Sequence, residues 1–198
     1  MAAYHVISNN PERKALRQAL IARREALTAD ERLQLTVTLN THLLELLARL
    51  QPRTLGFCWP YRGEADILPA VTTWLAADSG RQAALPIVPE QPGPLRFYRW
   101  QPGAAMQQDR FGIPQPVEHV TLDTDLLLVP VNGFDAKGYR IGYGGGYFDR
   151  TLASLTPQPV TVGVGFELSR LESIEPQAHD RPLDWLVTEA GYWMRKET

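Results

Sequence analysis

The chain has 198 residues, 44% of them hydrophobic and 21% charged, with a formal net charge of −2. That balance is globular rather than disordered and suits one domain with its own core. It lacks the basic excess of a nucleic-acid binder and any apolar run near the roughly 20 residues of a membrane span, and its one cysteine, Cys58, cannot form an intrachain disulfide.

The first residues, MAAYHVISNNPERKALR, lack the apolar core of a signal peptide, so the cytoplasm is the expected compartment. Residues 11–27 have helical spacing, with Leu16, Leu20 and Leu27 on one face and Arg13, Arg17 and Arg24 along its flank, at the boundary of core and solvent. Thr28 and Glu31 have capping-box spacing and open a second helix over 29–50. TLGFCW (54–59) reads as a buried strand, with Cys58 a packing residue rather than a catalytic thiol. A helix over 66–78, a strand over 83–88 and the alternating LRFYRW (95–100) follow, and DRFGIPQP (109–116) is expected to be irregular. LLLVPV (126–131), VTVGVGF (160–166) and LDWLVTE (183–189) are apolar strands, with a helix over about 145–155 between the first two. Apolar strands alternating with helices predict an α/β fold: a single domain over 1–198, a mostly parallel sheet flanked by helices on both faces, and two N-terminal helices.

Six of the fifteen glycines fall in GFDAKGYRIGYGGGYFDR, residues 133–150. The order is apolar strand, glycine-rich loop, helix, and open α/β sheets bind ligands outside the carboxyl ends of their strands. Glycines let backbone N–H groups converge on a ligand, and the following helix adds partial positive charge. Arg140 offers a fork for phosphate oxygens and Asp149 a carboxylate for magnesium. The segment matches neither the P-loop nor the dinucleotide fingerprint, because no Lys-Ser/Thr pair follows and Tyr147 stands where the last glycine belongs. Spacing alone leaves open both phosphate binding and a tight turn with Tyr143 and Tyr147 as packing residues.

The whole stretch, GFDxxGxRxGxGxGYxD, resembles the signature of the 5-formyltetrahydrofolate cyclo-ligase family, also called 5,10-methenyltetrahydrofolate synthetases. The arginine-rich first helix, GEAD at 63–66, FGIPQP at 111–116 and HD at 179–180 follow in the family's order. The resemblance implies an ATP- and Mg²⁺-dependent enzyme acting on 5-formyltetrahydrofolate, with or without a polyglutamate tail. The γ-phosphoryl group passes to the formyl oxygen, N10 attacks the formyl carbon, and phosphate departs, leaving 5,10-methenyltetrahydrofolate and ADP. Such chemistry needs positioning and charge neutralisation rather than a protein nucleophile, and His179 is not required as a general base.

Residue by residue, the resemblance places ATP at Arg13 or Lys14, Arg17, Arg140, Gly142, Gly144, Gly145, Gly146, Tyr147 and Asp149. It places folate at Trp59, Glu64, Tyr143 and Gly144 to Tyr147, and magnesium at Asp149 and Asp180. Arg140, Tyr147 and Asp149 are the implied catalytic residues. The sequence departs from relatives at Gly145, where some carry lysine, and at Phe148, where tyrosine is common. Read without the resemblance, the first helix is a solvated basic face, Trp59 a core residue, Glu64 and Asp66 the start of a helix, and Asp180 part of a turn. A monomer without nucleic-acid or membrane partners is expected. The alternatives are a folate- or nucleotide-binding protein without turnover, or another α/β enzyme with a similar strand-end loop.

Overall fold

The structure, a computed structural model, describes residues 11–91 and 93–196; residues 1–10, part of the segment read for signal character, lie outside them. Helix α1 (Pro11–Glu25) starts on proline, whose missing N–H is unneeded in a first turn. Its buried face is Leu20, Ile21 and Arg24. Arg24 is only 2% exposed, so the boundary position expected for it is corrected to a core position. Helix α2 (Ala29–Leu50) has the expected capping box: Glu31 N–H donates to Thr28 Oγ1, and Thr28 N–H donates back to Glu31 Oε2. Gln51, in the left-handed region, closes its far end.

The remaining elements in chain order are β1 (Thr54–Gly56), α3 (Leu68–Ala76), β2 (Gln82–Ile87), β3 (Arg96–Trp100), β4 (Met106–Gln108), β5 (Pro114–Pro116), β6 (Leu126–Pro130), β7 (Gly133–Phe134), β8 (Arg140–Ile141), α4 (Tyr147–Ser154), β9 (Val160–Val164), β10 (Trp185–Thr188) and β11 (Gly191–Met194). Seven strands form one sheet in the order β11-β10-β9-β6-β1-β2-β3. The five inner strands run parallel and the two edge strands antiparallel.

Successive strand residues alternate between two cores. Leu55, Leu85, Leu126, Leu128, Val162 and Val187 face α2 and α3, while Ala84, Leu127, Val129 and Leu186 face α4 through Leu152. Helices therefore cover both faces, which is why the inner strands read as continuous apolar runs. Two expectations need correction. Pro114–Pro116 is not irregular, since it pairs with β4 as a short hairpin. A further strand, β11, follows the one expected to be last and pairs with it, Trp185 opposite Met194.

Candidate active site

From β1 the chain moves outward in one direction to β2 and β3, whereas β6, β9 and β10 lie on the other side. The strand order thus reverses between β1 and β6, where open α/β sheets place their crevice. A cavity of about 530 Å³ opens there, walled by Cys58 and Trp59 after β1, Leu85 and Pro86 of β2, and Pro130 of β6. Arg13 and Arg17 of α1, the 142–149 segment, the β4–β5 tip and Asp180 complete the wall.

The glycine segment begins as the β7–β8 hairpin. The Asp135 carboxylate holds its turn, accepting from the backbone N–H groups of Lys137 and Tyr139 at 3.0 and 3.2 Å. The loop then runs along α1, with Arg17 Nε donating to the Gly142 carbonyl at 2.7 Å. Gly144, at φ +92°, and Gly146, at φ +63°, occupy conformations that L side chains rarely adopt. A Cβ on Gly144 would also lie 3.0 Å from Arg17 Cζ. Gly142 differs, because a Cβ there would meet nothing within 4 Å. The fold does not demand glycine at 142, although the residue lines the cavity. Tyr147 opens α4, and its hydroxyl accepts from Arg110 Nη2 at 2.9 Å.

Two ion pairs stand at the charged end. Arg13 Nη2 lies 2.9 Å from Asp180 Oδ2, which also accepts from Gln177 N–H at 2.8 Å. Arg140 Nη2 lies 2.9 Å from Asp149 Oδ1, which also accepts from Arg181 N–H at 3.2 Å. Arg140 Nη1 donates to the Arg181 carbonyl, so the fork expected to grip phosphate is engaged in aiming Asp149. Burial, and then the neighbouring charge of Arg13, hold Arg17 below the ordinary arginine range. A second cation beside a partly buried one is relieved by an anion.

Among the described residues no group of three or more His, Cys, Asp or Glu is arranged to hold a metal. Magnesium needs less, commonly one or two carboxylates together with substrate phosphates and waters. Asp149 and Asp180 both line the cavity, and the hydrogen bonds they accept use one oxygen of each. They fit such an ion.

At the other end Glu64 turns toward the glycine loop. Its Oε1 accepts from the Tyr143 hydroxyl at 2.6 Å, and its Oε2 accepts from Tyr61 N–H at 3.0 Å. Burial pushes the Glu64 pKa up, opposed by Tyr143, Arg24 and the Tyr61 N–H. The same burial and the Glu64 charge push the Tyr143 phenol up, so it remains a protonated donor. Asp66, not Glu64, begins the next helix by accepting from Leu68 N–H at 3.0 Å. Trp59 meets Trp100 edge-on at 6.3 Å and shows its remaining surface to the cavity. The strand expected over 54–59 ends at Gly56, so Cys58 is corrected from a buried strand residue to a half-buried residue of the cavity wall, and burial of its thiol pushes its pKa up and keeps it neutral.

Of the residues singled out in the sequence, Arg13, Arg17, Trp59, Glu64, Arg140, Gly142, Tyr143, Gly144, Gly145, Gly146, Tyr147, Asp149 and Asp180 all line this one cavity. Lys14 is exposed and is not part of its wall, so of the two basic candidates Arg13 faces inward. His179 lines the cavity with Nε2 3.8 Å from Asp180 Oδ1. Sequence reasoning passed over Phe111, half exposed at the β4–β5 tip, and Arg24, which reaches Tyr143 from beneath. A charged residue four positions after Leu20, on the same helix face, was the available signal for Arg24.

Residues 9–189 match the model of the 5-formyltetrahydrofolate cyclo-ligase family. A 5-formyltetrahydrofolate cyclo-ligase of Haemophilus influenzae is 28% identical over 183 residues, covering 88% of this chain and 96% of its own. The Aquifex aeolicus 5,10-methenyltetrahydrofolate synthetase superposes with a TM-score of 0.79 at 29% identity, covering 94% of both chains. The Mycoplasma pneumoniae enzyme of that name shares the fold with a TM-score of 0.75 at 23% identity, over 90% of this chain and 99% of its own. With its fold and nearly its whole length matched, the chain belongs to the 5-formyltetrahydrofolate cyclo-ligase family.

Proposed function

We propose that this chain carries out the reaction of its family in the switch-point cavity: ATP-dependent conversion of 5-formyltetrahydrofolate to 5,10-methenyltetrahydrofolate, with release of ADP and phosphate. The observation that carries the reading is the convergence of a basic helix face, a glycine loop and a buried carboxylate on one cavity. The Arg13–Arg17 end suits the triphosphate, and the Glu64–Trp59 end suits a flat heterocycle bearing N–H donors.

The geometry supports a division of labour. Arg13 and Arg17 neutralise the phosphates, with the Gly142–Gly146 backbone alongside them. Glu64 accepts hydrogen bonds from the pterin, and the Trp59 ring covers an apolar face of it. This orientation points the N5-formyl group at the loop between the two ends. The formyl oxygen attacks the γ-phosphorus, ADP leaves, N10 attacks the activated formyl carbon and gives up its proton to solvent, and the C–O bond breaks to release phosphate. Tyr147 and the loop backbone hold the transferring group in line. Asp149, aimed by Arg140, and Asp180 would hold magnesium, which shields the developing phosphoryl charge. We place the protein in the cytoplasm as a single-domain monomer, with 5-formyltetrahydrofolate, carrying a polyglutamate tail or not, and ATP as its ligands, and neither nucleic acid nor membrane as a partner.

Substrate labelled with ¹⁸O in the formyl group tests this directly. The expected result is one ¹⁸O atom in each phosphate released with methenyl product. Phosphate without label, or ATP hydrolysis without cyclisation, would contradict the reading.

A further inference from the structure

Arg24 is the most buried guanidinium of α1. Its three nitrogens reach three separate segments. Nε donates to the Arg62 carbonyl at 3.1 Å, Nη1 to Asn132 Oδ1 at 2.9 Å, and Nη2 to the Tyr143 hydroxyl at 2.9 Å. Nη2 also lies 3.8 Å from Glu64 Oε1. These contacts tie the turn before Glu64, the end of β6 and the glycine loop to one group. We infer that Arg24 is a positioning residue that locks Tyr143 and Glu64 into a single folate-accepting unit. The inference rests on the reading of Glu64 as the pterin acceptor.

The direction of the hydrogen bonds carries the argument. A guanidinium donates and cannot accept. The Tyr143 oxygen therefore receives Arg24, and its own proton points at Glu64 Oε1. Glu64 Oε2 is taken by Tyr61 N–H. Both carboxylate oxygens act as acceptors, an arrangement that an ionised Glu64 satisfies fully. The groups around Glu64 leave Arg24 as the cation that holds this state. Arg62 is gripped by both oxygens of Glu25 at 2.8 and 2.9 Å. Burial keeps the Cys58 thiol neutral. Beneath, Leu128 and Pro130 of β6 and Val164 of β9 present no charge. Without Arg24, a carboxylate already pushed upward by burial takes up its proton at higher pH. It then turns a proton toward the N–H donors it should accept.

The test is the pH dependence of 5-formyltetrahydrofolate binding by calorimetry, beside MgATP binding, for the parent, Arg24→Met, Arg24→Lys, Tyr143→Phe and Glu64→Gln. In Arg24→Met the acid limb of folate binding should move up by about one pH unit or more and affinity at neutral pH fall about tenfold, with MgATP affinity little changed. Arg24→Lys keeps the charge and should keep the limb in place at reduced affinity. If Arg24→Met does not fold, Tyr143→Phe, which cuts the relay without emptying the core, should show a smaller shift in the same direction. Glu64→Gln should lose the limb altogether. Parental affinity and an unmoved limb in the folded Arg24 and Tyr143 variants, with Glu64→Gln impaired, would overturn the role of Arg24 alone. Parental behaviour of Glu64→Gln would overturn the Glu64 reading and the inference with it.

Discussion

Arg13 Nη2 and Asp180 Oδ2 stand 2.9 Å apart, so the first helix and a loop near the far end of the chain neutralise one another inside the cavity. Their side chains are 15% and 8% exposed. In the proposed complex they serve different parts of MgATP, Arg13 the phosphates and Asp180 the metal. Asp180→Asn should therefore raise the magnesium concentration for half-maximal turnover about tenfold. The same variant should bind metal-free ATP at least as well as the parent, because it removes a negative charge from the cavity wall. A magnesium titration that superimposes on the parent's would remove Asp180 from the metal site.

Asp149 has a fold role as well as its proposed chemical one, since Arg140 is 7% exposed and Asp149 is its ion-pair partner. Asp149→Ala should cost stability and activity together, with the loss of a buried partner worth about 3 kcal/mol. Asp149→Asn is more informative. Its amide oxygen still accepts from Arg140 and the Arg181 N–H, so the fold should hold while turnover at saturating MgATP drops about a hundredfold, or about 2.7 kcal/mol of barrier. A folded Asn variant with parental turnover would rule out the metal role.

The glycines should separate into structural and ligand-facing classes. Gly144→Ala forces an alanine to φ +92° and against Arg17, and should destabilise the protein by about 1–3 kcal/mol in chemical denaturation. Gly142→Ala meets open space and should change stability by no more than about 0.5 kcal/mol. If the loop lies against a bound nucleotide, the same methyl group should weaken MgATP binding. Unaltered binding would show that residue 142 lies clear of the ligand.

Glu64 gives the pH prediction. Its folded pKa is raised, chiefly by burial. Folate binding requires the ionised form, so affinity is full above that raised pKa and falls as pH drops through it. The loss should begin at a higher pH than for an ordinary glutamate, near 4.3. Glu64→Gln should weaken folate binding more than ATP binding. Equal weakening of the two would assign Glu64 to the fold instead.

Much of this was legible in the chain. The capping box at Thr28 and Glu31 formed as spaced, because both partners are local. The inner strands were visible because burial on both faces removes polar alternation. The glycine segment stood out because an unusual backbone path demands an unusual composition. What stayed hidden depends on partners distant in sequence. Gly191–Met194 is a short, half-buried edge strand whose pattern means little until β10 lies beside it. The β5 segment, with prolines at 114 and 116, reads as a breaker, yet its middle residue Gln115 pairs opposite Gln107. Arg24 looked like one more basic residue on a helix flank. Only the approach of Asn132 and Tyr143, more than a hundred residues away in the chain, gives a buried guanidinium its acceptors.

The first measurement to make is an absorbance time course with purified protein, 5-formyltetrahydrofolate, ATP and Mg²⁺, following the near-ultraviolet band of the conjugated methenyl product. The band should grow only when ATP and Mg²⁺ are both present. A folded protein that binds either ligand yet forms no band, or that forms it without ATP, would contradict the account.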